Sequence, residues 1–288
     1  MITNFILFHK GIHLPSYVYD CIKQIESTQT NYKLFLLTDA CVNIEKLVNV
    51  EIVNFNDIKI PELENIKFYT QNNDPLWRTS FERFFYIKNF IKYRNYNNIV
   101  HFDNDVLIYI NVNNIINKLE QNITNIGIPS HKLGEFVCGF VYIKNSNSIE
   151  LLCNELLLLA SQGEKELEIK LQSMPHEMRL LGHIFETNNT LITPLPILPF
   201  KEQSDLYETF NGVFDPSSYG QYFGWTTHFP KNTVHPSDVL RYIDKHIVSG
   251  NIKPVFDTAE KKPYIIYNNT KIPIFNLHIH SKNLFNFI

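Results

Sequence analysis

The first 110 residues alternate short apolar runs with amphipathic stretches, and this alternation restricts the chain to a mostly parallel sheet covered by helices. Asn4 to His9 is a compact apolar run. Pro15 opens an amphipathic stretch through Ile25, and Lys33-Leu34-Phe35-Leu36-Leu37-Thr38-Asp39 is a second apolar run ending in polar residues. Glu51 to Phe55 predicts a third short strand. Ser80 to Tyr93 predicts a helix through Phe81, Phe84, Phe85, Ile87, Phe90 and Ile91, and Asn98 to Phe102 predicts a strand that stops at Asp103-Asn104-Asp105. Binding crevices of such sheets lie beyond the carboxyl ends of the strands, and Thr38-Asp39 and Asp103-Asn104-Asp105 both fall there.

The second half is less regular. Phe136 to Ile143 predicts a strong strand, Ser148 to Ala160 a helix, and Glu177 to Phe185 another helix with Pro175 near its first turn. Ile192 to Pro199 holds Pro194, Pro196 and Pro199 and predicts an extended, irregular segment. Asp205 to Pro236 is rich in aromatic, Gly and Pro residues, which marks a structured loop region where a ligand could sit. Pro263 to Tyr267 and Ile272 to Ile279 predict a terminal hairpin around Asn268-Asn269-Thr270.

At 288 residues the chain is near the upper size for one hydrophobic core, so a single domain is expected over 1–288, with a small C-terminal extension. A formal charge of -3 removes the attraction that sequence-independent nucleic-acid binding requires. Cys21, Cys41, Cys138 and Cys153 stand far apart without a C-x-x-C, which predicts free thiols in a reducing, cytoplasmic setting. The run Phe5 to Phe8 lacks the basic flank of a signal peptide. The Leu156 to Leu159 cluster is far shorter than the roughly 20 apolar residues of a bilayer span.

Chemistry concentrates at two places. Asp103 and Asp105 follow an apolar strand, where residues i and i+2 share a side and two carboxylates can converge on a divalent cation. An acidic turn after a strand has the same sequence, so the pair alone decides nothing. Asn276-Leu277-His278-Ile279-His280-Ser281-Lys282 puts two imidazoles on one strand face, followed by an ammonium group. A neutral imidazole can complete a carboxylate shell around Mn²⁺, which accepts mixed oxygen and nitrogen donors better than Mg²⁺ does. Arg83, one helix upstream of the pair, could meet the anion such a cation binds.

Trp77-Arg78-Thr79-Ser80-Phe81-Glu82-Arg83-Phe84-Phe85-Tyr86-Ile87 and His101-Phe102-Asp103-Asn104-Asp105-Val106-Leu107-Ile108-Tyr109 resemble the donor-binding half of GT-A fold nucleotide-sugar glycosyltransferases. Phe214 to Gly224 and Leu277 to Lys282 resemble later motifs of bacterial, phage and large-virus members. The resemblance implies an α/β Rossmann-like sheet with a C-terminal acceptor-side extension, residues 1–110 binding the nucleotide sugar and 111–288 the acceptor. It implies Mn²⁺ or Mg²⁺ on Asp103 and Asp105 with His278 as third ligand, His280 being the alternative. The donor would be a nucleotide sugar, a UDP-sugar being usual, contacted by Arg83 and Lys282 at the sugar or diphosphate and by Thr38 and Asp39 at the nucleoside, with Asn104 a further donor-binding residue.

The implied activity is transfer of a hexose to a hydroxyl acceptor in glycan or polysaccharide synthesis, with homo-oligomerisation left open. If configuration inverts, a carboxylate must deprotonate the acceptor. Glu177 is the first candidate, although an acidic residue also suits a helix amino terminus. Asp215, before Pro216, is the second, although that position also suits an ordinary turn. A metal-dependent phosphohydrolase and a catalytically silent GT-A-like binding protein are the competing readings; the first normally wants more carboxylates than are seen here.

Overall fold

The computed structural model describes residues 2–42, 47, 49–64, 66, 75–132, 134–200, 206–223 and 242–288. Strand β1 (Thr3–His9), helix α1 (Ser16–Thr28), β2 (Tyr32–Thr38) and β3 (Val50–Asn54) are followed by the long helix α2 (Pro75–Arg94), β4 (Ile99–His101) and β5 (Val106–Ile108). Next come α3 (Ile116–Asn122), β6 (Ile126–Lys132), β7 (Glu135–Phe136), β8 (Val141–Ile143), α4 (Ser146–Ala160), α5 (Glu164–Leu171), α6 (Glu177–Thr187) and β9 (Ile192–Leu195). The chain closes with α7 (Leu206–Phe210), α8 (Tyr242–Val248), β10 (Lys253–Asp257), β11 (Lys262–Tyr267), β12 (Thr270–Pro273) and β13 (Asn276–His278).

Eight strands form the main sheet in the order β3-β2-β1-β4-β8-β6-β7, with β9 beside β6. Strands β1, β2, β3 and β4 are mutually parallel, β8 runs against β4, and β6 and β9 return to the first direction. The expected mostly parallel α/β sheet is therefore present. Its inner strands β1 and β2 are buried on both faces because both faces are covered. Phe5 and Leu7 pack on one side with α1, α3 and the C-terminal segment, while Ile6 and Phe8 pack on the other with α2, α4 and α6. Because β2 and β4 flank β1 on opposite sides, the strand order reverses at β1, and in such sheets the carboxyl ends of the strands at that reversal are where ligands bind. Among the described residues no helix is long and apolar enough to cross a membrane.

Three expectations for the second half need correction. Phe136 to Ile143 is two strands, because the chain turns at Val137–Phe140. Gly139 occupies that turn, where an added Cβ would already touch Asn276, the Asp215 backbone and the His278 ring at 3.6–3.7 Å. Part of the proline-rich Ile192 to Pro199 segment is regular: Ile192–Leu195 pairs parallel with β6. Pro194 fits because β9 has β6 alone beside it, so its missing N–H deprives no neighbour. The terminal hairpin is β11 with β12, turning at Asn268 and Asn269 with φ of +48° and +61°, the backbone a two-residue type I′ turn demands. Asn276–His278 leaves that hairpin and pairs with β5 instead. Of the expected loop region, Asp205 and residues 224–236 lie outside the described residues.

Helix α6 sits against the β6–β7 turn so closely that only glycine fits the contact. A Cβ on Gly182 would lie 1.9 Å from the Gly134 carbonyl oxygen, a backbone atom that cannot swing aside. Gly182→Ala is expected to cost about 1–3 kcal/mol through forced separation of the two elements, the range of an overpacked core. Urea unfolding at constant m-value checks this; an unchanged midpoint would show that α6 does not pack on this turn.

Candidate active site

The site is assembled by β5 and β13. These two short strands form their own antiparallel sheet with His278 opposite Val106, Leu277 opposite Leu107 and Asn276 opposite Ile108. So short a pair needs its outer edge satisfied, and α1 does this with side chains. Gln24 Nε2 donates to the Ile108 carbonyl (2.5 Å) and its Oε1 accepts from the Ile108 N–H (3.0 Å), as a neighbouring strand would. Gln29 repeats the arrangement on Ile110 and Val112, and the Cys21 thiol donates to the Val106 carbonyl. The Ile279 N–H then donates to the Asp105 carbonyl (2.9 Å), which fixes the C-terminal segment over the acidic turn.

This register brings Asp103, Asp105 and His278 together, one possible ligand atom of each lying within 4.8 Å of the others. His278 Nε2 is 3.1 Å from Asp105 Oδ2, and the Lys282 ammonium pairs with the same oxygen. Burial opposes ionisation of Asp105, but the His278 imidazole and the Lys282 ammonium outweigh it and hold the carboxyl well below the usual carboxylate range. Burial likewise opposes protonation of His278, and the Asp105 carboxylate overcomes it and raises the imidazole. The His280 ring stacks on His278 at 4.3 Å, while its Nε2 faces Ser217 Oγ at 2.8 Å. Of the two candidate imidazoles, His278 meets the carboxylates.

Arg83 reaches the cluster from the third turn of α2. It is buried, with Nη1 paired to Asp103 and Nη2 to Glu177. Glu177 starts α6 and is itself buried; desolvation raises its pKa, and Arg83 offsets that only in part. A buried guanidinium between two carboxylates has little freedom, because losing either partner would leave an uncompensated charge. Asp215 is fully buried and has both oxygens on backbone amides: Oδ1 accepts from Ser218 (2.7 Å) and Tyr219 (2.9 Å), Oδ2 from His278 (3.0 Å). It ties the 215–219 turn to the strand that carries His278.

Thr38, Asp39 and Asn104 stand apart from this cluster, along the carboxyl ends of β1, β2 and β4. Thr38 Oγ1 accepts from the Ala40 N–H (3.0 Å), and the exposed Asp39 accepts from the Gly11 N–H (2.8 Å). Asn104 Nδ2 lies 3.3 Å from His9 Nδ1, so the acidic turn and the end of β1 share a rim.

Sequence reasoning missed several partners. Asn276 accepts from the Asp215 N–H (3.0 Å) and donates to the Asp215 carbonyl (3.2 Å), bracing β13 against the 215–219 turn. Its spacing two residues before His278 on a strand placed it on the same side and could have flagged it. The Cys138 thiol, beside Glu177, and the Tyr17 ring, 5.5 Å from Lys282 Nζ, carried no comparable signal.

No family profile matches the chain, and no curated protein does. Solved structures give fold-level likenesses. Mouse xyloside xylosyltransferase 1 aligns with TM-score 0.49 and 9% identity over 73% of this chain and 93% of that one. The galactosyltransferase LgtC, solved in complex with donor and acceptor sugar analogs, aligns with TM-score 0.46 and 10% identity over 96% of this chain and 86% of that one. The glycosyltransferase GlyE of Streptococcus pneumoniae aligns with TM-score 0.41 and 13% identity over 67% of this chain and 44% of that one. At these values residue roles rest on this chain's own geometry.

His101, at the end of β4 beneath the cluster, supplies a pH signature. Its Nδ1 donates to the Ile6 carbonyl (2.9 Å), and burial, reinforced by Arg83, lowers its pKa to about 4. Between that value and the unfolded value of 6.5 the unfolded chain binds the extra proton, so stability falls as pH drops through this window and the loss is complete below about pH 4. The loss from His101 amounts to about 3 kcal/mol. His101→Asn should flatten the acid limb of a stability-versus-pH curve by that order; a limb of unchanged slope would show that His101 is not buried neutral.

Proposed function

We propose that the chain is a metal-dependent glycosyltransferase of GT-A type, taking a sugar from a nucleotide sugar, a UDP-sugar first among candidates, to a hydroxyl of a glycan acceptor. The observation that carries this reading is the convergence of Asp103, Asp105 and His278 within 4.8 Å at the point where the strand order reverses, flanked by Arg83 and Lys282. Two hard oxygen donors and one imidazole suit Mn²⁺, with Mg²⁺ the harder alternative. Asp103, Asp105 and His278 would hold such an ion, and it would supply the charge neutralisation that makes a diphosphate a better leaving group.

The chain's own residues supply the rest. Glycosyl transfer needs positive charge where the departing diphosphate becomes negative, and Arg83 and Lys282, which flank the acidic cluster, would supply it. Glu177 holds Arg83 immobile, so the guanidinium is already oriented when the donor binds. Asp39 and Asn104 line the rim beyond the carboxyl ends of β1, β2 and β4, which suits a nucleoside, while Thr38 is buried beneath it and holds the turn at Ala40. Glu177 and Asp215 are both buried and engaged, which favours positioning over acceptor deprotonation. Residues 1–110 then carry most of the donor site, and 111–288 the acceptor side together with His278.

Phosphohydrolases with clustered Asp and His commonly use two metals. Among the described residues one group of three metal-capable side chains forms, which favours transfer over hydrolysis. A thermal-shift series with nucleotide sugars in Mn²⁺, Mg²⁺ and EDTA tests the reading. A donor at a hundredfold excess over its Kd should add about 2.7 kcal/mol of stability, seen as a Tm rise of several degrees that EDTA, Asp105→Asn and His278→Ala each abolish. A rise that survives EDTA and both substitutions would overturn the assignment of this cluster, and release of phosphate from simple phosphoesters would replace transfer with hydrolysis.

A further inference from the structure

Lys282 and the proposed metal share a ligand. Its ammonium pairs with Asp105 Oδ2, the same oxygen that faces His278 Nε2 at 3.1 Å. The backbone that delivers Lys282 is held in place: its N–H donates to the Ile279 carbonyl (2.9 Å), and its φ of +63° makes the tight turn that aims the side chain back at the acidic pair. The Leu284–Phe287 turn then anchors the chain end with Leu284 and Phe287 buried. The side chain is 40% exposed, against 5% for Asp105, and its Nζ lies 5.5 Å from the Tyr17 ring. It can therefore leave Asp105 by rotating about its own bonds, without moving the strand that holds His278.

The local charge count gives this contact a consequence. Asp103, Asp105 and Glu177 face two permanent cations, Arg83 and Lys282. Arg83 is locked between Asp103 and Glu177, so Asp105 has one mobile neutraliser, Lys282. A dication arriving at Asp105 would meet an ammonium already on its oxygen, and two cations on one carboxylate oxygen repel.

We propose that Lys282 is an internal counter-cation that competes with the divalent ion for Asp105, so that metal entry releases the ammonium from the carboxylate and frees it for an anionic donor. This rests on the metal-site reading above and adds its regulation: Lys282 weakens binding of the metal alone and is freed for a diphosphate only once the metal has taken its place. Once the metal is in place, the released ammonium and the dication together make the site attractive to further negative charge, which favours binding of a diphosphate after the metal.

Calorimetric titration of Mn²⁺ alone, with no nucleotide, into wild type, Lys282→Met, Lys282→Arg and Asp105→Asn tests this. Removing the competing charge should tighten Mn²⁺ binding in Lys282→Met by about tenfold, equivalent to about 1.4 kcal/mol. Lys282→Arg should keep the wild-type affinity, and Asp105→Asn should lose binding. Equal or weaker affinity in Lys282→Met, with wild-type binding intact, overturns the competition while leaving the metal site standing. A gain in Lys282→Arg as large as in Lys282→Met also overturns it, since bulk and not charge would then be responsible. If neither wild type nor Lys282→Met binds Mn²⁺, the metal-site reading fails and this proposal with it.

Discussion

Three residues near the carboxyl end, Asn276–His278, pair antiparallel with the three that follow the acidic turn, Val106–Ile108, and the site depends on that register. A slip of one residue would turn His278 away from Asp105 and bury Leu277 against carboxylates, since successive strand residues face opposite sides. The register is held from several directions. Cys21, Gln24 and Gln29 satisfy outer backbone groups of 106–112, the Ile279 N–H donates to the Asp105 carbonyl, and Asp215 and Asn276 bind the 215–219 turn to β13. Gly220 permits that turn to lie against the strand, because a Cβ there would sit 2.4 Å from the His278 carbonyl oxygen.

Around this frame the charges are arranged at some cost to stability. Burying Arg83, Glu177, Asp105 and His278 gives up hydration that ion pairing regains only in part, so these residues are poor candidates for holding the fold together. The fold is held by the two apolar layers on either face of the sheet. They supply the rigidity that lets a charged cluster persist at the strand ends, as a preorganised site requires. Arg83 and Lys282 divide the work by burial: the guanidinium is enclosed and fixed by two carboxylates, while the ammonium is partly exposed and free to exchange partners.

Much of this was legible in the sequence, for specific reasons. The alternation Asn4–His9, Lys33–Asp39, Asn98–Phe102 marked parallel strands because strands covered on both faces must be apolar throughout, and α2 showed its face through Phe81, Phe84, Ile87 and Ile91. Asp103 and Asp105 were visible because two carboxylates interrupt an otherwise apolar run, and the late His278, His280 and Lys282 set them apart from an ordinary acidic turn. What stayed hidden was set by contacts distant in sequence. Phe136 to Ile143 reads as one strand until Gly139 is seen against the 215–219 turn. The final strand reads as a hairpin arm because β5, its true partner, lies about 170 residues upstream. Glu177 could be singled out as an acidic residue at a helix start, but its pairing with Arg83 has no local signature. Gln24 is a polar residue on an amphipathic helix, and its role as a surrogate strand edge follows only from tertiary placement.

The central claim is that one imidazole, brought by β13, completes a carboxylate site for a divalent ion. Pulsed electron paramagnetic resonance of Mn²⁺ bound to histidine-¹⁵N-labelled protein tests it most directly, because a ligating nitrogen imprints its hyperfine coupling on the metal. The account predicts coupling to a single imidazole nitrogen that disappears in His278→Ala and persists in His280→Ala. Coupling that vanishes in His280→Ala while surviving in His278→Ala, or bound Mn²⁺ with no nitrogen coupling at all, would contradict it.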